Sequence, residues 1–241
     1  MSFEKTMKVF SPDGRIYQME YAFKAISQFG QTSIAVRGND SVVVCTQKKI
    51  PDKLIVPDSV TNIFNVSDSR GVVLVGNMND ARYIVQWLRN NAAKFKFTNG
   101  YEIPVHVLAQ KLGHHLQHFS QQAGLRPFCV NTTIVGMDEE FGAQCYRVDP
   151  SGQAIGFKCV STGSKEQEAM TQLEKHYRKK EGNWDRKETI ETAIQVLQTV
   201  ISSDFKANEI EIGVASVGDV RFKKLTEQEI ENHLNDLADK Q

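Results

Sequence analysis

Several things are scarce in this sequence, and each scarcity excludes a class of protein. Its longest apolar stretches run four to six residues, where a helix crossing a bilayer needs about 20. No membrane segment is expected. The opening residues, MSFEKTMKVF, hold no apolar core and no small-residue cleavage site, so no secretory leader is expected. Four cysteines (Cys45, Cys129, Cys145 and Cys159) are widely spaced and form no CxxC pair. That usage predicts reduced thiols in the cytoplasm or nucleus rather than a disulfide framework. Charge of one sign is lacking as well. Lys plus Arg equals Asp plus Glu at 29 each. A nucleic-acid surface needs excess cation to neutralise phosphates, so nucleic acid is not expected as a partner. No Pro/Ser-rich linker, composition shift or solenoid repeat divides the 241 residues, which predicts one domain over 1–241.

What is present is a segregated run of strands and helices. TSIAVRG (32–38) and SVVVCTQ (41–47) flank Gly38-Asn39-Asp40 as a hairpin whose Val42–Val44 run is buried on both faces. NIFNVSD and VVLVGN form a second hairpin around Ser69-Arg70-Gly71. A helix over about 80–97 follows, with Tyr83, Trp87 and Leu88 at helical spacing and Gly100 as its stop. The next helix starts near Pro104, carries Val107, Leu108, Leu112 and Leu116, and ends by Gly124. Strands return as CVNTTIVGMD, AQCYRVD and QAIGFKCVS, the last two joined by the turn Asp149-Pro150-Ser151-Gly152. Helices over about 165–178 and 187–203, a strand over 209–217, and a final helix capped by Thr226 and Glu229 complete the chain. Strand blocks and helix blocks of this kind predict two mostly antiparallel sheets with helices on their outer faces, not a βαβ fold.

The most decorated stretch comes early. Ser11-Pro12-Asp13-Gly14 fits a β-turn. Ile16, Met19, Phe23 and Ile26 then mark one helical stripe, stopped by Gly30. Periodicity alone favours packing of this helix on its own domain. Arg15, Gln18, Glu20 and Tyr21 also surround it with polar and aromatic chemistry of the sort found at oligomer interfaces. Elsewhere, His114, His115 and His118 cluster on one helix, and His114 and His118 share a face. No acidic ligand stands at matching spacing, so no metal and no cofactor are expected. The basic run 175–180 reads as a solvated helix end suited to the helix dipole, with nuclear import as the weaker reading. Cys145 and Cys159 are placed on neighbouring strands as free thiols.

Phe10-Ser11-Pro12-Asp13-Gly14-Arg15, followed by Gln18-Met19-Glu20-Tyr21-Ala22, resembles the N-terminal signature of α-type subunits of the 20S proteasome. The resemblance continues through Gln47-Lys48-Lys49, Tyr101-Glu102-Ile103-Pro104, Arg126-Pro127-Phe128, Gly136-Met137-Asp138 and Asp149-Pro150-Ser151-Gly152, covering essentially the whole chain. The runs YAFKAI, VRGND, TQKKIPDKL and DFK are most similar to the eukaryotic branch at the alpha-1 position, or alpha type-6. The resemblance implies an α+β, four-layer αββα sandwich, the N-terminal-nucleophile hydrolase fold. It implies a seven-membered ring of α subunits stacked on a β ring, with a regulatory particle or other activators docking on it. Residues 1–9 would be a pore-facing tail, and 10–30 the signature turn and helix.

Catalysis can then be checked position by position. Active members expose a Thr behind a Gly, whose own α-amino group moves the proton. They also carry a carboxylate at the end of the second strand and a lysine in the next hairpin. The resemblance places Gln31, Gln47 and Asn62 at those three positions, and no amide is a usable nucleophile or base at neutral pH. The chain is expected to be catalytically silent, with Thr32 an ordinary strand residue. Its implied work is ring building, gating of substrate access and cap docking. Phe3-Glu4-Lys5 replaces the family's Tyr-Asp-Arg, putting those gate contacts in question. Pro12 and Tyr21 of the gate cluster are kept. In the activator pocket Asn62 replaces a lysine, which predicts weak or absent docking of activator tails there. The competing expectation, a self-processing amidohydrolase that discards residues 1–30, predicts a new terminus near Gln31 or Thr32. A free-standing binding module is the third, and predicts a monomer.

Overall fold

The computed structural model describes residues 10–122 and 124–239. Helix α1 (Tyr17–Gln28) leads into strands β1 (Thr32–Arg37), β2 (Ser41–Gln47), β3 (Ile63–Asn65) and β4 (Arg70–Gly76). Helices α2 (Met78–Asn99) and α3 (Val105–Gln121) follow, then β5 (Val130–Asp138), β6 (Gly142–Val148), β7 (Ala154–Gly156) and β8 (Cys159–Gly163). The chain continues with α4 (Glu166–Lys180), α5 (Arg186–Ile201), β9 (Ile210–Ser216), β10 (Asp219–Lys224) and α6 (Glu227–Ala238).

Two five-stranded sheets result, ordered β10-β9-β2-β1-β8 and β3-β4-β5-β6-β7, with every pairing antiparallel. The sheets stack face to face. Helices α4 and α5 cover the first, with α6 against α5, and α2 and α3 cover the second. This is the expected α+β sandwich, and it explains the double-sided strands. Along β2, Val43 and Cys45 face α5, whereas Val42 and Val44 face the other sheet. Along β4, Val72 and Leu74 face the helices while Val73 enters the inter-sheet layer. A strand with apolar neighbours on both sides cannot alternate apolar with polar.

Helix ends follow local chemistry. Asn77 caps α2 by accepting the Asn79 N–H at 2.9 Å, and Gly100 ends it in the left-handed region at φ 83°. Thr226 and Glu229 close the expected capping box at α6. Gly14 donates its N–H to Ser11 O at 2.9 Å, so 11–14 is the β-turn that its residues predict.

The structure departs from the sequence reading at three places. QAIGFKCVS is two strands, not one. Phe157 donates its N–H to Cys145 O of β6, and the next residue, Lys158, accepts from Arg37 N–H of β1, both at 2.9 Å. The chain therefore changes sheets within one dipeptide. Cys145 and Cys159 consequently lie in different sheets rather than on neighbouring strands. Second, the β3–β4 turn lies before Arg70, which opens β4; Val66 donates its N–H to Arg70 O. Third, the charged segment 219–224 is a strand, β10. Its one buried side chain, Phe222, seats over Gly71 and Gly213, where an added Cβ would come within 2.3 Å of the ring. Only glycine leaves room for it.

Candidate functional site

The three positions assigned to nucleophile, carboxylate and lysine converge at one end of the sandwich. Gly30, at φ +65°, turns the chain from α1 into β1. Lys49 Nζ holds its carbonyl at 2.5 Å. Gln31 follows, its carbonyl accepting the Ser164 N–H at 3.1 Å. Thr32 is buried and paired with Gly163 of β8. Its nitrogen is a peptide N–H that donates to Gln47 Oε1 at 3.2 Å. It is neither a free amine nor a base, so it cannot take the proton of the Thr32 hydroxyl.

Gln47 ends β2, 7% exposed, with its side-chain oxygen committed to Thr32. Asn62 is 1% exposed. It extends Nδ2 toward Gln47 O at 3.4 Å, and its Oδ1 has no hydrogen-bond partner among the described residues. The structure thus brings Gln47 and Asn62 together, with Gln31 one residue before Thr32. No ionisable side chain stands at any of the three positions.

Charge lies one step away, on residues that sequence reasoning did not single out. Glu211 of β9 accepts the Asn62 backbone N–H at 3.0 Å and lies 3.1 Å from Thr61 Oγ1. Lys224 of β10 reaches Thr61 Oγ1 at 2.5 Å and Glu211 at 3.8 Å. Burial pushes the Lys224 ammonium below its usual range, and Glu211 opposes that shift. A signal for Glu211 was present in the alternation of 209–217, which sets it on the face opposite Ile210 and Ile212. Lys224 lay in a segment not read as a strand, so nothing placed it.

Helix α1 packs across β4 and β5, burying Ala22 and Ile26. The rest of its expected stripe is only partly covered, and Phe23 stays exposed. Of the signature residues, Arg15 and Glu20 meet in a two-pronged pair at 2.8 and 2.6 Å. The Arg15 guanidinium lies 5.4 Å from the Tyr17 ring centre, and Tyr17 stacks on Tyr21 at 6.2 Å. Arg15 holds the exposed Glu20 carboxyl below its ordinary range. Pro12, Asp13 and Gly14 sit in the exposed turn, and Gln18 is half-buried on α1. Phe3, Glu4 and Lys5 lie outside the described residues.

His115 and His118 pack against aromatic rings. His115 stacks on Trp87 at 4.5 Å, and burial followed by His118 lowers its pKa. His118 meets Phe119 edge-on, and His114 is exposed. All four cysteines are free, and burial pushes the Cys159 thiol up to about 12. None is primed for nucleophilic attack.

A family profile described as "Proteasome subunit" matches residues 27–215. The chain belongs to the proteasome subunit family. A second profile, describing the N-terminal signature of the A-type proteasome subunits, matches residues 4–25, and so assigns the turn and helix α1 to the alpha type. Among curated relatives, "Probable proteasome subunit alpha type-1" of Schizosaccharomyces pombe is 42% identical, over 99% of this chain and 97% of the relative. "Proteasome subunit alpha type-6" of Caenorhabditis elegans is 39% identical over 99% and 96%. An archaeal "Proteasome subunit alpha", from Methanosarcina barkeri, is 30% identical over 100% and 94%. Within a proteasome family whose alpha-type members are its non-catalytic subunits, the buried amides at Gln47 and Asn62 and the acylated nitrogen of Thr32 agree with that type. The chain is a non-catalytic alpha-type subunit of the 20S core particle. No helix among its described residues is long and apolar enough to cross a membrane.

Proposed function

We propose that the chain occupies the alpha-1 position of a seven-membered α ring, rests on a β ring, and helps to gate substrate access and to dock a regulatory particle or other activators, in the cytoplasm and nucleus. The whole chain, 1–241, acts as one domain in this reading. Residues 1–9 form the pore-facing tail, and 10–30 the turn and helix that carry it. The observation that carries the proposal is the division of labour on α1. Ala22 and Ile26 anchor the helix on β4 and β5, while Phe10, Tyr21, Phe23 and Phe29 remain exposed. Exposed aromatics gathered on one short segment are what an assembly surface offers. Arg15, Gln18, Glu20 and Tyr21 serve as ring contacts here, and Pro12, Asp13 and Gly14 set the angle at which the tail leaves. Phe3, Glu4 and Lys5 make the gate contacts.

At the activator pocket, Asn62 offers a buried amide where a positive charge would hold a tail carboxylate. A neighbouring ammonium, Lys224, is already engaged by Glu211 and Thr61. Docking of activator tails at this subunit is weak for that reason. Restoring the charge with Asn62→Lys raises activator affinity of the assembled particle, and unchanged affinity excludes the missing charge as the limit.

The decisive experiment is native mass spectrometry of the complex that co-purifies with the tagged chain. A very large complex, with this subunit uncut at Gly30, is the expected result. A monomer, or a new terminus near Gln31 or Thr32, overturns the proposal.

A further inference from the structure

At the far ends of β4 and β9 from Asn62 and Glu211 the surface opens into a cavity of about 540 Å³. Its floor is rigid. Arg70 pairs with Asp138 at 2.6 Å, both side chains almost fully buried. Arg70 also donates to Ile103 O and Met137 O at 2.9 and 2.6 Å. Its walls are apolar. Tyr101 from the α2–α3 loop, Phe141 from the β5–β6 turn, and Val217 and Val220 flanking the β9–β10 turn line it while more than half exposed. Four large apolar groups from three separate loops, converging on one opening and left in water, form a surface suited to a partner.

Charge at the rim selects the partner. The cations there are committed. Lys96 is held by Glu102 at 2.7 Å and Asp68 at 3.3 Å, and Arg221 by Asp219 at 3.2 Å. Glu139 and Glu140, exposed in the β5–β6 turn beside Phe141, make no ion pair among the described residues, and Arg70, which Glu139 senses, is already paired with Asp138. The uncompensated charge at the rim is therefore negative. Lipid headgroups and nucleic acid, with their phosphates, are repelled. A protein segment pairing a bulky apolar side chain with lysine or arginine matches both the walls and the rim.

We infer that this cavity is a docking site for a partner protein's extended segment, in which an aromatic or aliphatic anchor enters between Tyr101 and Phe141 and adjacent basic side chains meet Glu139 and Glu140. The site is distinct from the amide-lined end of the sandwich, and it needs no residue of the signature helix.

The test uses a fluorescein-labelled peptide, Phe-Lys-Lys-Leu with blocked ends, titrated by anisotropy against the full chain and against the assembled particle. Its acidic counterpart, Phe-Glu-Glu-Leu, and anionic phospholipid vesicles are the comparison probes. Saturable binding of the basic peptide is expected, weakened about tenfold or more by the double change Glu139→Lys and Glu140→Lys and by raised salt. Val220→Asp, on a different strand, is expected to abolish it as well. These side chains are exposed, and circular dichroism of each variant checks its fold. Equal binding of the acidic peptide, binding unaffected by the charge reversals, or capture of vesicles in preference to peptide overturns the inference. Binding to the free chain but not to the particle overturns it too, by showing that assembly buries the face.

Discussion

The two ends of this sandwich bury polar side chains to a similar depth but differ in charge. At one end, Gln47 and Asn62 meet as neutral amides. At the other, Arg70 and Asp138 form an ion pair of 2.6 Å with hardly any exposure. A buried amide needs only hydrogen bonds, and Gln47 has its bond in the Thr32 N–H. A buried ion pair must offset a large desolvation cost, and this one is ligated on every side, by Ile103 O, Met137 O and the Val105 N–H. The difference teaches where this chain keeps charge. It is kept where the backbone of β4, β5 and the start of α3 holds it still. At the amide end it stands one step back, on Glu211 and Lys224.

The largest effect is expected from breaking the charged end. Arg70→Met leaves Asp138 buried with no cation, and should cost about 3–5 kcal/mol in urea unfolding. Adding Asp138→Leu should recover most of that loss. Recovery shows the cost to be the orphaned charge rather than lost packing; a single change that costs under about 1 kcal/mol would erase the contrast between the ends.

An ion pair with one partner in water sharpens the contrast. Asp80 is nearly buried and receives Arg126 at 2.7 and 2.6 Å and the Cys129 N–H at 3.0 Å, while Arg126 is largely exposed. Burial alone would raise the Asp80 carboxyl, but these donors hold it below its ordinary value. Stability from this group is complete above the unfolded carboxyl value of about 3.9 and is lost as pH falls through the lower folded value. Asp80→Asn should therefore cost about 1.5–3 kcal/mol at neutral pH. The variant should also show a shallower acid limb below about pH 4 in thermal melts.

At the amide end, Gln47→Leu strands the Thr32 N–H and should cost about 1–3 kcal/mol by chemical unfolding. Gln47→Glu should yield no peptide hydrolysis by the isolated chain, because Thr32 remains acylated on its nitrogen. Fluorogenic peptide turnover by that variant would break the reading of this end as silent. The smallest effect belongs to a site remote from both ends. Thr226→Ala removes the α6 capping box and should cost about 1 kcal/mol, read as a modest drop in melting temperature.

Much of this was legible in local sequence because the deciding forces act over a few residues. Turn chemistry at 11–14, the caps at Gly100 and Thr226, and the all-apolar run of β2 each carry their own signal. The three amides were legible too, since a missing charge is a property of one residue. What escaped depends on distant partners. β10 exists because Phe222 finds room over Gly71 and Gly213, the first of them more than half the chain away. The break between β7 and β8 arises because Arg37 and Cys145 claim adjacent peptides. Glu211 and Lys224 flank Asn62 only because β9 and β10 deliver them there.

By itself, then, the amino-acid order determined the segregated strands and helices, the turn that opens the signature, and the uncharged amides of Gln31, Gln47 and Asn62. Periodicity, turn residues and ionisable groups are written locally. Only the tertiary structure decided which sheet each late strand joins, which carboxylate and ammonium stand beside the amides, and that four apolar groups from separate loops face one opening. Those outcomes rest on contacts between residues far apart in sequence, which exist only after the two sheets have stacked.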